Sequence, residues 1–321
     1  MRFNVKQLLT FLGAAVLAAT PHLALAQAKT TKIIVAFPPG GPVDFVARSI
    51  SEALSKELGQ PVIVENRAGA NGAIAADYVI KSPPDGNTLW LSSVGAVAIN
   101  PGLYPKLSYD PKRDLAPVSL VVNNVELLVV NPNNPANNPA EFVANAMSKS
   151  TNMASSGIGS VPHLAAELLA DATGAKLVHV PYKGAAPAIN DVMAGHVDGF
   201  FGDIPGLINN VKAGKLKPVG LAATQRHPLL PDVMTFEEMG IKGVDSDNWY
   251  ALFTTKGTSP ADIDRLNKAV QRVLADETVK ARLSNSGAQP ASSTPAELAD
   301  LLAKDSDKWA RVIRSKNILP Q

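Results

Sequence analysis

The chain of 321 residues contains no cysteine. That excludes disulfides, thiolate zinc sites, iron–sulfur clusters, a cysteine nucleophile and a lipid-modified N-terminal cysteine. Charge and aromatics are also scarce, at 18% and 5% of residues. The 30 basic and 28 acidic residues leave a formal net charge of +2, spread along the chain. A nucleic-acid partner is therefore not expected, because it needs a concentrated basic face. No long hydrophobic run is present either. The longest, Leu8–Ala19, falls short of the roughly 20 residues a membrane-spanning helix needs. With 46% apolar residues the chain can still bury a sizeable core, so disorder is excluded as its ground state.

Catalytic signatures are missing as well. The histidines beyond the N-terminal segment, His163, His179, His196 and His227, are scattered and none forms an H-x-x-x-H pair. There is no G-x-S-x-G elbow, no P-loop and no G-x-G-x-x-G turn. No metal and no cofactor is expected. Ser155-Ser-Gly-Ile-Gly-Ser160 followed by His163 invites a Ser–His hydrolase reading. The simpler reading is a strand end leading into a helix, since no acid nearby is placed to orient the imidazole.

What is present begins at the N-terminus. Arg2 and Lys6 precede the apolar run, Pro21 follows it, and Ala24-Leu25-Ala26 offers a small-x-small cleavage site. This is the layout of a secretory signal peptide over residues 1–26. Its removal takes away two positive charges, so the exported chain is formally neutral.

Apolar patterning then alternates between strands and helices. Lys32–Phe37 is a strand ended by Pro38-Pro39-Gly40-Gly41-Pro42, and a helix follows from Asp44 to Leu58 with Asp44 as its cap. Further strand–helix pairs follow to about residue 222, then a strand at Trp249–Thr254. Ser259-Pro260 and the capping box Thr294-Pro-Ala-Glu297 open two closing helices. The fold class this order implies is α/β with mostly parallel sheets flanked by helices. Residues 27–123 and 248–321 are expected to form lobe 1 and residues 124–247 an inserted lobe 2. The chain would then cross twice, near 122–126 and 246–250.

Three loops rich in small residues, Pro38–Asp44, Gly69–Gly72 and Ser155–Ser160, sit between a strand end and a helix start. Each offers unpaired backbone N–H groups beside a positive helix terminus, and such sites lie where open α/β sheets bind ligands. Together they indicate anion binding.

Lys32-Ile-Ile-Val-Ala-Phe-Pro-Pro-Gly-Gly-Pro-Val-Asp-Phe-Val-Ala-Arg48 resembles the opening motif of the tripartite tricarboxylate transporter substrate-binding family, the Bug receptors. Val62-Ile-Val-Glu-Asn-Arg67, Pro84-Asp-Gly86, Ile99-Asn-Pro101, the Ser155–Ser160 loop, Pro181-Tyr-Lys-Gly184 and Leu230-Pro-Asp232 continue the likeness in order. The resemblance implies a two-lobed, type II-like periplasmic binding protein, a monomer that closes on a small organic carboxylate and delivers it to membrane permease subunits. It implies binding mainly through backbone amides and hydroxyls. The matching positions are Phe37, Pro39, Gly40, Gly41, Asp44, Ser92, Ser93, Ser155, Ser156, Gly157, Gly159, Ser160, His163, Tyr182 and Asp203. Ile204 departs from the polar residue common after that Asp, which bears on ligand identity. Lys183, Arg48, Arg67 and Trp249 are read as structural or solvated. A sensor presenting ligand to a membrane kinase is the alternative reading, with the Ser hydrolase behind it.

Overall fold

The computed structural model describes residues 29–320. The expected signal peptide, 1–26, lies outside the described residues. The elements are β1 (Thr31–Val35), α1 (Pro42–Leu58), β2 (Val62–Asn66), α2 (Ala73–Ile80) and β3 (Thr88–Ser93). A π-helical turn, Gly95–Ile99, leads into α3 (Asn100–Leu103), then α4 (Pro111–Asp114), β4 (Leu115–Asn123) and β5 (Glu126–Val130). Next come α5 (Pro139–Ser148), β6 (Thr151–Ser155), α6 (Val161–Thr173), β7 (Leu177–Pro181) and α7 (Ala185–Ala194). The chain continues through β8 (Gly199–Asp203), α8 (Ile204–Lys212), β9 (Lys217–Leu221) and β10 (Tyr250–Thr255). It closes with α9 (Pro260–Ala275), α10 (Glu277–Ser286), β11 (Gln289–Pro290) and α11 (Pro295–Lys316).

These strands make two sheets, ordered β11-β4-β10-β3-β1-β2 and β7-β6-β8-β5-β9. Side-chain alternation along each strand divides the core into two layers per sheet. In the first sheet Ile34, Trp90 and Phe253 face α2, α3 and α11, whereas Ile33, Leu89, Leu91 and Leu252 face α1, α9 and α10. In the second, Leu128, Met153 and Phe201 pack on α5 and α6, while Leu127, Val129 and Phe200 pack on α7 and α8.

Both sheets are mixed, with β10 and β5 running against the strands they pair with. β1 is parallel to β2 and β3, and β6 is parallel to β7 and β8. β10 is antiparallel to β3 and β4, and β5 is antiparallel to β8 and β9. The reason is the crossings. β5 and β10 each start at the gap between the sheets, where β3 and β8 end, so they must run in the opposite direction. Only Asn124 and Val125 separate β4 from β5, and Asn248 N–H donates to the Asn124 carbonyl at 3.1 Å, which ties the two crossings side by side.

β4 is legible only in the structure. Pro117 interrupts its apolar run, and it sits opposite Phe253 at a register shift, where a proline is tolerated because the regular ladder is already broken.

Candidate functional site

The C-terminal ends of β1, β3, β6, β7 and β8 open into one cleft between the sheets. Its empty volume is about 870 Å³, mouth included.

One wall is the loop after β1. Gly41 is the N-cap of α1 and Pro42 occupies the first turn, so Val43 and Asp44 carry the N–H groups without an intrahelical acceptor. Asp44 is not the cap. It lies in the first turn, buried, and accepts from Gly40 N–H at 2.9 Å, Arg48 Nε at 3.0 Å and Asn66 Nδ2 at 2.9 Å. Burial opposes its charge, but the Arg48, Gly40 and Asn66 donors outweigh that and hold its carboxyl below the usual range. Its role is to fix the loop, with Gly40 at a positive φ of 84°. Asn66 Nδ2 also holds the Phe37 carbonyl at 3.0 Å. Asn71 reaches the cleft from a left-handed turn, its amide locked by Asn100 at 2.8 Å.

The facing wall comes from the second sheet. Ser160 caps α6, and its hydroxyl donates to the Gly157 carbonyl at 2.6 Å, closing the turn. Gly184 caps α7 at φ 113°, and the first-turn residues Ala185, Ala186 and Pro187 line the cleft. Thus the starts of α1, α6 and α7 all meet this space, each a partial positive charge that favours an anion. Lys183 is the only Lys or Arg among the described residues lining it, and it is exposed.

The floor is acidic. Asp203, at the end of β8, lines the cleft and accepts from Asn248 Nδ2 at 3.0 Å and from the Tyr250 hydroxyl. Its antiparallel register partner is Glu126, fully buried, and Asn248 Nδ2 bridges to Glu126 Oε1 at 3.2 Å. Burial and the neighbouring Asp203 charge push Glu126 well above the usual carboxyl range. Asp203 is raised to about 6, burial outweighing its Tyr250, Glu126 and Asn248 partners.

Of the residues expected from sequence, Phe37, Pro39, Gly41, Ser93, Ser156, Ser160 and Asp203 line the cleft. Gly40, Asp44, Ser92, Ser155, Gly157, Gly159, His163 and Tyr182 do not line it. Ser92 points the other way from Ser93, by strand alternation. Ser155 is buried, with its hydroxyl 2.6 Å from His179 Nε2, not beside His163. His163 stacks on His179 with ring centroids 3.7 Å apart and accepts from Gly159 N–H at 3.2 Å. His163 is buried and His179 half-buried, and the pair lines a separate pocket with Glu167 and Lys316 rather than the cleft. Tyr182 donates to Asp191 at 2.6 Å. Asn71, Asn248 and Tyr250 were not among the sequence candidates. Their signal was positional, since Asn71 lies in the second donor loop and the other two lie on a crossing.

A family model described as "Tripartite tricarboxylate transporter family receptor" matches residues 46–318. The chain is similar to MatC from Rhodopseudomonas palustris with bound malate, with a TM-score of 0.82 and 34% identity over 88% of this chain and 98% of that one. It is similar to R. palustris Rpa4515 with adipate, with a TM-score of 0.87 and 30% identity over 91% and 98%. The periplasmic binding protein BugD aligns with a TM-score of 0.85 and 31% identity over 91% and 99%.

Proposed function

Because this chain belongs to the tripartite tricarboxylate transporter receptor family, we propose that it is an exported, monomeric receptor that closes its lobes on a small dicarboxylate. It hands that ligand to membrane subunits of a tripartite-type transporter, and it acts by binding alone. Residues 27–123 with 248–321 form one lobe and residues 124–247 the other, and the segment 1–26 directs export to the periplasm.

One observation carries the reading. Helix starts from both lobes converge on a single cleft in which Lys183 is the only lining Lys or Arg among the described residues. Donors on facing walls favour the closed state only when an anion bridges them, which is the differential affinity that hinge closure requires. Malate in MatC and adipate in Rpa4515 are both dicarboxylates, which supports that class here. One carboxylate is taken by the N–H groups of α1 and α6, and the second by Lys183 with the start of α7. The neutral wall of Phe37, Pro39 and Phe200 sets the length of the chain between them.

Thermal unfolding with a panel of dicarboxylates, monocarboxylates and amino acids tests this. A ligand at ~100 times its dissociation constant adds about 2.7 kcal/mol of stability. Stabilisation by at least one dicarboxylate and not by its monoamide is expected. Stabilisation by none of the acids refutes the reading.

A further inference from the structure

We propose that the receptor takes up its anionic ligand together with one proton, held between Asp203 and Glu126 at the floor of the cleft. The inference rests on the carboxylate-receptor reading and adds a second bound species to it.

The argument starts from register. Glu126 and Asp203 face each other directly on β5 and β8. Like charges in that relation repel, and burial makes the repulsion larger. The groups that could relieve it are few. Tyr250 donates to Asp203 from β10, and Asn248 donates to both carboxyls from the second crossing. Both are neutral donors. Among the described residues no Lys, Arg or His is felt by either carboxyl. From the neighbouring elements, α10 approaches Ile204 through Gly287, and its charged residues Glu277, Lys280 and Arg282 are exposed. His227 meets the Gly287 backbone rather than the pair. Asp247 faces Asp245, Asp305 and Lys308. Lys183 lines the same cleft from the start of α7 and is exposed to water. A proton is therefore the neutraliser that the fold provides, and the two acids titrate as one unit.

Unpaired atoms point to the same place. Glu126 Oε2, Asn248 Oδ1 and Ser246 Oγ are buried without a partner. They sit on the two crossings that lobe closure bends. Glu126 Oε2 is thus an unfilled position at which the pair can hold the proton.

An anion entering the cleft arrives beside Asp203 and raises the cost of its charge. At a pH where the empty receptor has partly lost the shared proton, binding restores it. By linkage, affinity then falls as pH rises through that range, by at most about tenfold per pH unit for one proton.

Calorimetric titration of the full exported chain with malate and with adipate, between about pH 6.5 and 8, tests the proposal. Both probes are fully ionised there. Comparing buffers of different ionisation enthalpy counts protons directly. Uptake of up to one proton per ligand is expected, lost in Asp203→Asn and reduced in the isosteric Glu126→Gln. Tight binding with a buffer-independent enthalpy in the unmutated protein overturns the proton and leaves the carboxylate reading standing. Uptake that persists undiminished in both variants overturns the assignment to this pair. No binding by any acid of the panel refutes the carboxylate reading itself. The measurement on the unmutated protein needs no variant to fold.

Discussion

Replacing Glu126 with Gln isolates the acid pair in the absence of any ligand. Asp203 is raised from 3.8 to about 6 in the folded protein. A folded carboxyl that holds its proton more tightly than the unfolded one is most stabilising below the unfolded value. That stability is lost as pH rises through the folded value. Each tenfold gain in proton affinity on folding is worth about 1.4 kcal/mol, so Asp203 alone makes the fold roughly 3 kcal/mol less stable at pH 8 than in acid. Much of this falls below pH 5, where the unfolded carboxyl is itself still titrating. Between pH 5 and pH 8 the pair loses on the order of 1 kcal/mol or more, both members acting in the same direction. Against a typical total of about 5–15 kcal/mol that is readily measured. Urea titrations at the two pH values, followed by tryptophan fluorescence and by circular dichroism, should show a lower midpoint at pH 8. In Glu126→Gln the Glu126 contribution is gone while the burial that raises Asp203 remains, so the difference should shrink without vanishing. A midpoint that is equal at the two pH values in the unmutated protein would refute the reasoning. So would an undiminished difference in the variant.

Three further outcomes follow. Lys183→Met should weaken a dicarboxylate by about tenfold, near 1.4 kcal/mol, with no change in melting temperature of the empty protein, because this lysine is exposed. Equal weakening of a monocarboxylate, by equilibrium titration, would remove it from the second carboxylate. Gly159→Ala places a Cβ 2.3 Å from Leu103 Cδ2 across the lobe seam, at a φ of 72° that an L residue resists. Scattering of the ligand-saturated variant should show a more open particle than the unmutated protein, and an unchanged radius would refute a closure role for that glycine. Trp309→Ala empties a fully buried position packed with Leu103, Leu298 and Ile313, and should cost about 3–5 kcal/mol by urea titration.

The alternation of apolar residues made nearly every helix and strand of both sheets legible, down to the Gly59 and Gly174 helix stops, both left-handed in the structure. The capping box at Thr294 and Glu297 is formed as its spacing implies. Local rules sufficed there because the interactions are local. They missed β4, whose proline is accommodated by a bulge against a strand far away in sequence. They missed α10, whose single buried stripe of Val279 and Leu283 is too sparse to stand out. The donor loops were legible for the same local reason, because glycine and serine between a strand and a helix announce a helix start. The division of each loop into residues that meet the cleft and residues that brace it was not. Asp44 looks outward from the ligand space because Arg48 and Asn66 draw it there, and Asn66 comes from another strand. Glu126 reads as the polar edge of an apolar strand, and only the β5–β8 register sets it against Asp203. Lys183, solvated by the logic of its neighbours, gains meaning from a cleft wall formed by both lobes.

The central claim is that helix starts from two lobes grip the two ends of one dicarboxylate. A crystal structure of the complex with a dicarboxylate that stabilises the protein tests it most directly. The account predicts one carboxylate within hydrogen-bond distance of first-turn N–H groups at Val43 or Val161, the other beside Lys183 and Ala185, and Asp203 still held by Tyr250. A ligand bound outside this cleft, or one whose carboxylates both avoid the helix starts, would contradict it.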